Sequence, residues 1–293
     1  MHAHAPDRQA ARHQAAAGVT PSGSRGRRGR LARYFLVAGL TALVAAPAYA
    51  QARGAQTFEP TVGQPGKDVV WVPTPQALVD RMLDMAKLTP QDFHMDLGSG
   101  DGRTVITAAK RGSRSVGVEF NPDMVELAKR NAAAAGTGDK ATFIRGDIFE
   151  TDFSKAQVLT LFLLPSLNLR LRPTILNMTP GTRVVSNSFT MEAWQPDETQ
   201  NIGGDCTSWC TAHMWIVPAK VEGTWQVGTN ALALTQEFQM LSGTLGSGAI
   251  TEGKMRGDEI TFTAGGTKYT GRVSGNSMRG TTAAGAAWTA TRK

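Results

Sequence analysis

A short apolar stretch, His94-Met95-Asp96-Leu97, runs directly into Gly98-Ser99-Gly100-Asp101-Gly102-Arg103, and an acid, Glu119, closes the next β-like stretch. A glycine-rich turn that joins a strand to a helix, with an acid about 20 residues past the first glycines, is the arrangement a bound ribose requires. The chain is therefore expected to bind a nucleoside cofactor on an α/β scaffold.

The glycine spacing and the nearby charges indicate which one. In a G-x-G-x-x-G turn the third glycine packs helix on strand and the helix N-terminus faces a pyrophosphate. Here Gly98 and Gly100 fit that frame, but Arg103 stands at the third position and the extra glycine is Gly102. Asp96 and Asp101 bring carboxylates to the mouth of the turn, which repels a pyrophosphate and suits an ammonium group. S-adenosyl-L-methionine (SAM) carries an amino acid and a sulfonium without phosphate, so the acids favour SAM over NAD.

The flanks support a doubly wound α/β domain. Arg103 to Lys110 has helical spacing, Ser115 to Glu119 reads as a buried strand, and Asn121-Pro122-Asp123 caps a helix through Met124, Leu127 and Ala128. Ala141 to Arg145 forms a third strand that ends at Gly146-Asp147-Ile148, where the Asp carboxylate can accept from an adenine amine. Gln157 to Leu164 is a fourth strand, apolar enough for burial on both faces, and Gly181 to Thr190 a fifth. Strand and helix alternate throughout.

These segments carry a family resemblance. Trp71-Val72-Pro73-Thr74-Pro75, Asp96 to Arg103, Gly117 to Pro122, Gly146 to Ile148, Leu163 to Asn168 and Gly181 to Ser186 together resemble the class I, seven-strand SAM-dependent methyltransferases. Within that group they are most similar to the archaeal broad-specificity protein-lysine methyltransferases and to their mitochondrial relatives acting on the c-ring protein of ATP synthase. The resemblance spans about Val69 to Pro218. It implies a Rossmann-like, seven-strand sheet and SAM as methyl donor. Asp96, Gly98 and Gly100 would line the methionine end of the cofactor, Ser99 and Asp101 of the same turn would also bind the cofactor, and Thr74 would reach its carboxylate. Glu119 would hold the ribose hydroxyls, with Asp147 and Ile148 flanking the adenine. Leu164, Pro165 and Ser166 would form the wall where acceptor meets methyl. This chain has Trp71 where the family usually has Tyr, and Asn187 where His is common.

Methyl transfer from a sulfonium is an in-line displacement that asks mainly for alignment. An acceptor lysine, with a reference pKa of about 10.4, must first lose its proton, and an apolar channel assists by desolvation. Trp71, Asn187, Phe189 and Trp194 are candidates for that channel, each aromatic being equally readable as an ordinary core or rim residue. No general base is singled out. Methyltransferases of nucleic-acid bases or glutamine on this fold usually carry an Asn/Asp-Pro-Pro-aromatic tetrad after the fourth strand. Leu163-Leu164-Pro165-Ser166 lacks that amide acceptor. The expected partner is thus a protein with an accessible lysine, or a small molecule such as a metabolite, lipid or quinone, and not a nucleic acid. A catalytically silent SAM binder is the further alternative.

The formal charge of +7 is misleading on this point. The first fifty residues hold seven arginines against one aspartate, leaving 24 basic and 23 acidic residues from Gln51 onward. That leader has the form of an export signal: a basic region, Arg25 to Arg33, an apolar run, Phe35 to Ala46, and Ala48-Tyr49-Ala50 as a cleavage site. The run is shorter than the ~20 residues a membrane span needs, so no stable anchor is expected after cleavage. Export to the periplasm follows, or a cytoplasmic location if the leader is misread. Residues 51–68 read as a linker, and the oligomeric state is not indicated.

The two cysteines, Cys206 and Cys210, would close a small disulfide in an oxidising compartment. A metal set adding Asp205 and His213 has a spacing too tight for structural zinc, and no metal is expected. From Gly223 to Lys293 the chain changes character. Short alternating runs, Ala231 to Phe238, Glu259 to Ala264, Lys268 to Val273 and Ala287 to Thr291, are separated by glycine turns. A small antiparallel sheet or open barrel is expected there, following a methyltransferase domain of residues 69–220. It would recruit substrate or bind the cell envelope, or simply stabilise or dimerise the enzyme.

Overall fold

A computed structural model describes residues 58–204 and 206–293. The leader, its cleavage site, residues 51–57 of the linker and Asp205 lie outside the described residues.

Seven strands form the first sheet: β1 (Phe93–Leu97), β2 (Arg114–Glu119), β3 (Ala141–Arg145), β4 (Val158–Leu161), β5 (Arg183–Asn187), β6 (Glu198–Asn201) and β7 (Thr211–Ile216). Their order is β3-β2-β1-β4-β5-β7-β6. The first five are parallel, and β7 runs antiparallel to both β5 and β6. Alternation sends each strand's side chains to two covered faces. Met95, Leu97, Leu159, Leu161, Val184 and Trp215 face one core, which includes Leu171 and Ile175 of α4 (Pro165–Ile175). Val158, Val185, Met214 and Ile216 face the other, against Leu78 and Met82 of α1 (Gln76–Met85). α2 (Arg103–Lys110) and α3 (Pro122–Ala134) pack on each other and on Phe143. Asn121 caps α3 by accepting from the Asp123 amide at 2.9 Å, with Pro122 in the first turn.

Three local differences from the sequence expectation have simple causes. The fourth strand stops at Leu161 because Pro165 begins α4, so Phe162–Leu164 becomes a loop at the carboxyl edge. The fifth strand ends at Asn187 because Ser188 adopts a left-handed conformation, φ 59°. Strand β6 is additional to the expected set, since Glu-Thr-Gln-Asn at a half-exposed sheet edge shows no apolar alternation.

The remaining strands, β8 (Gly223–Val227), β9 (Asn230–Glu237), β10 (Met240–Leu245), β11 (Gly248–Arg256), β12 (Glu259–Ala264), β13 (Thr267–Ser274), β14 (Ser277–Thr282) and β15 (Ala287–Arg292), follow one another antiparallel. Pairing of β15 with β8 closes them into a barrel, where the sequence suggested a sheet or an open barrel. Trp225, Met255, Ile260, Phe262 and Met278 fill the interior, at most 1% exposed. Eight strands enclose just enough space for side chains, so the barrel is a packed core. Gly271 and Gly280 face each other across β13 and β14, and the indole of Trp288 lies against Gly271. A Cβ on Gly280 would lie 1.9 Å from the Thr270 carbonyl oxygen, and one on Gly271 would lie 2.7 Å from Trp288.

Sheet and barrel belong to a single compact unit. Trp194, fully buried, stacks on Phe238 at 6.1 Å and packs against Trp215, whose indole donates to the Trp194 carbonyl at 2.7 Å. Gln239 donates to the Gln195 carbonyl at 2.8 Å, and Lys254 pairs with the buried Asp197 at 3.0 Å. Trp194 is therefore not an acceptor-channel residue: it mortars the barrel to the sheet, because this large apolar side chain is covered from both sides. Among the described residues no helix is long and apolar enough to cross a membrane.

Candidate functional site

In the strand order, chain connection reverses between β1 and β4, and a cleft, open at its mouth, lies at the carboxyl ends of these strands. Ligands occupy this crevice in open α/β sheets. The glycine turn is anchored there by Gly98 and Ser99 amides donating to the Val118 carbonyl at 2.9 and 3.0 Å. Gly98 and Gly100 take φ of 83° and 53°, which favour glycine. A Cβ on Gly100 would also lie 2.6 Å from the indole nitrogen of Trp71, so Trp71 rests directly on the turn. Each oxygen of Glu119 accepts one backbone amide, Gly100 at 3.0 Å and Asn121 at 2.9 Å. Those bonds fix the carboxylate at the cleft wall and leave lone pairs for ribose hydroxyls.

Asp96 is the innermost acid. Thr160 donates to it at 2.6 Å, and the Thr160 hydroxyl lies 2.9 Å from His94 Nε2. With the threonine proton committed to Asp96, the hydroxyl accepts from Nε2–H, and the buried His94 Nδ1 is left without a partner. Burial pushes Asp96 up to about 7, aided by the negative charges of Glu119 and Asp101 and opposed by the Thr160 bond. Burial pushes His94 down to about 3, so its ring is neutral. In sequence, His94 reads as no more than a satisfied sheet residue. Its position two residues before Asp96, on the same face of β1, is the available signal for this link.

Other expected ligands are tied to residues that the sequence pattern does not single out. Arg103 grips both oxygens of Asp101 at 2.6 to 3.1 Å and donates to the Thr74 carbonyl at 2.9 Å. Arg103 thereby locks the turn to the segment before α1. The Thr74 hydroxyl accepts from Asn187 at 3.2 Å, so the buried Asn187 positions Thr74 from behind rather than lining the cleft. Lys67 bonds one oxygen of Asp147, while the Phe149 amide donates to the other at 2.9 Å. Lys67, also 5.0 Å from the Phe120 ring centroid, holds the Asp147 carboxyl below its usual range. Ile148 lines the cleft beside Asp147.

The three residues expected to form the acceptor wall do not line the cleft. Phe162 and Leu163 line the cleft, whereas Leu164, Pro165 and Ser166 turn outward at the start of α4, Leu164 being 39% exposed. Pro165 at the first helical position causes this turn. Phe189, a sequence candidate, stacks with Phe162 at 6.2 Å, and Trp209 closes a triangle with them at 5.7 and 5.4 Å. Trp209 sits inside a loop closed by a disulfide between Cys206 and Cys210, which leaves neither thiol for a metal.

The cleft's chemistry fits SAM. Its acids, Asp96 and Glu119, face the space, while Arg103 and Lys67 are neutralised by Asp101 and Asp147, so among the described residues lining it no free cation awaits a phosphate. Buried Ser99 Oγ has no partner and remains a spare donor beneath the turn. A SAM-dependent methyltransferase is the class that this fold and cleft define.

Residues 96–198 match the family model for the ANTKMT methyltransferase domain. A protein-lysine N-methyltransferase of Saccharolobus islandicus (strain REY15A) is 44% identical over 133 residues, covering 44% of this chain and 83% of that protein. The adenine nucleotide translocase lysine N-methyltransferase of Mus musculus is 34% identical over 129 residues, 43% of this chain and 56% of that protein. The chain thus spans little more than half the length of this second relative. A solved structure, described as an RNA methyltransferase from Salinibacter ruber in complex with S-adenosyl-L-homocysteine, is 47% identical with a TM-score of 0.48, covering 51% of this chain and 96% of that one. The chain belongs to the protein-lysine N-methyltransferase family, with SAM as its methyl donor.

Proposed function

We propose that the protein methylates the side-chain amine of lysine in a protein substrate outside the cytoplasm. Bound SAM supplies a methyl carbon made electrophilic by its sulfonium. The chain's own residues do the positioning: Glu119 and the Gly98–Gly100 turn hold the nucleoside, and Asp96 meets the ammonium of the methionine end. The lysine ammonium gives its proton to solvent, its nitrogen pair forms the N–CH3 bond, and the electron pair of the broken S–CH3 bond stays on sulfur as a neutral thioether.

The observation that carries this reading is the wall after β4. Phe162 and Leu163 present carbon where a base or carboxamide would need an amide acceptor, and an apolar wall favours the neutral amine. The disulfide and the export-like leader support an oxidising compartment. Transfer of isotope-labelled methyl from SAM into the exported-protein fraction of source cells tests the activity, with Glu119→Gln as control. Label in lysine of a protein band, lost in the control, is expected. Label confined to small molecules would replace the lysine acceptor with a metabolite. N-terminal sequencing of the cell-fractionated protein tests location: a chain starting at Gln51 in the periplasm is expected, and an intact cytoplasmic chain would overturn it.

A further inference from the structure

Phe162 lies one residue past β4, Phe189 two past β5, and Trp209 two before the antiparallel β7, so all three leave the sheet at its ligand-bearing edge. Phe162 also lines the cofactor cleft, which makes the ring triangle continuous with it. None of the three is part of a hydrophobic core cluster among the described residues. Trp209 is 42% exposed and holds a left-handed backbone, φ 59°, that a bulky residue disfavours. An exposed tryptophan in that conformation, inside a five-residue loop stapled by Cys206 and Cys210, is costly for packing alone.

We propose that Phe162, Phe189 and Trp209 form the recognition platform for the acceptor, that they take the ammonium end of a substrate lysine through the exposed indole face, and that the Cys206–Cys210 disulfide holds Trp209 in place for this. The proposal rests on lysine being the acceptor. Ring faces attract ammonium groups, and partly methylated lysine keeps its charge, so the platform accepts substrate before each transfer. The apolar wall of Phe162 and Leu163 then receives the neutral amine. Trp209 does not itself line the cofactor cleft, and it acts as a specificity residue of the entrance.

Labelling the full chain with 5-fluorotryptophan allows a test independent of turnover, because the fluorine resonance absent from Trp209→Phe is that of Trp209. The probe is a short peptide with one lysine, used plain, Nε-trimethylated, and as the neutral carbon isostere of the trimethylated form. The Trp209 resonance is expected to shift with both cationic peptides and not with the isostere. In kinetics on the plain peptide, Trp209→Ala should raise KM roughly 3- to 30-fold with kcat little changed, and Trp209→Phe should restore most of it. Reduction by dithiothreitol, or the pair Cys206→Ser with Cys210→Ser, should abolish the Trp209 response while SAM affinity stays the same, which separates loss of the clamp from unfolding. Methyl transfer to the peptide with a silent Trp209 resonance would overturn the platform and leave the lysine activity standing. A Trp209 shift without any methyl transfer would support the platform and count against the lysine activity. A response that survives reduction would overturn the role of the disulfide.

Discussion

The parallel sheet and the barrel both lean on glycine, for opposite ends. In the sheet, Gly98 and Gly100 bend the chain at a strand's end so that Trp71 lies on the turn and the Gly100 amide reaches Glu119. In the barrel, Gly271 and Gly280 sit within strands, Gly271 so that Trp288 fits against its backbone and Gly280 so that the neighbouring Thr270–Gly271 backbone can approach. One set opens a polar cleft, and the other removes the last space from an apolar interior. The comparison teaches that the same residue marks a site only when the surrounding groups are left with unspent hydrogen-bonding capacity.

The sharpest way to break that contrast is to add a side chain to each set. Gly280→Val would drive carbon into the Thr270 carbonyl, 1.9 Å from the new Cβ, with no flexible neighbour to yield. A loss of about 3 kcal/mol of stability is expected, read as a lowered melting temperature. Cofactor affinity of the protein that remains folded should be unchanged. If SAM binding falls in proportion, the barrel contributes to the site and the contrast fails.

Glu119→Gln is the counterpart in the sheet. It keeps the side chain's shape but gives up the charge and one acceptor oxygen. SAM affinity should fall by about 1.5–3 kcal/mol, the worth of charged hydrogen bonds, as measured calorimetrically. Thermal stability without cofactor should fall by about 1 kcal/mol, because the carboxamide can accept from only one of the Gly100 and Asn121 amides and its NH2 faces the other, a loss only partly offset by removing a negative charge near Asp96.

Proton linkage sharpens the comparison further, since the described residues of the barrel include no buried acid to match Asp96. The Asp96 carboxyl, raised to about 7 mainly by burial, is half protonated near neutrality. The SAM ammonium requires the ionised form, so affinity should drop about tenfold, or ~1.4 kcal/mol, for each pH unit below 7 and level off above it. Stability of the cofactor-free protein should run the other way. A carboxyl raised on folding stabilises below its ordinary unfolded value and loses that contribution as pH climbs through about 7. Thr160→Val removes the bond that lowers Asp96 and should move the binding midpoint upward; a pH-independent affinity would show that Asp96 does not meet the ammonium.

The two regions also differ in how far they can be read from sequence. The turn from Gly98 to Arg103 and the acids Asp96 and Glu119 are consecutive or at fixed spacing, so the cofactor half of the site and the Rossmann-like sheet are legible. The acceptor half is not, because Phe162, Phe189 and Trp209 come from three loops that only the strand order brings together. Trp194 misleads for a related reason: a tryptophan near the end of a strand reads the same whether it meets a substrate or, as here, Phe238 of the barrel. Lys67 and Arg103 are invisible as clamps since their partners, Asp147 and Thr74, lie 80 and 29 residues away. In the barrel, alternation reveals the strands, but closure depends on β15 meeting β8, a pairing with no local signature.

The smallest expected effect lies at the seam between the regions. Lys254 of the barrel pairs with Asp197 of the sheet at 3.0 Å, and the two side chains are 42% and 3% exposed. Breaking a fully buried pair strands a charge at a cost of several kcal/mol, but here the lysine end is wet and water can replace it. Asp197 also keeps the Ile216 amide at 3.0 Å as a donor. Lys254→Met should therefore cost about 1 kcal/mol or less by thermal denaturation, with SAM affinity and the acceptor KM unaltered. A tenfold change in either binding constant would mean that the seam transmits strain to β7 and the Trp209 loop beyond it, and the barrel would then count as part of the acceptor site rather than as its support.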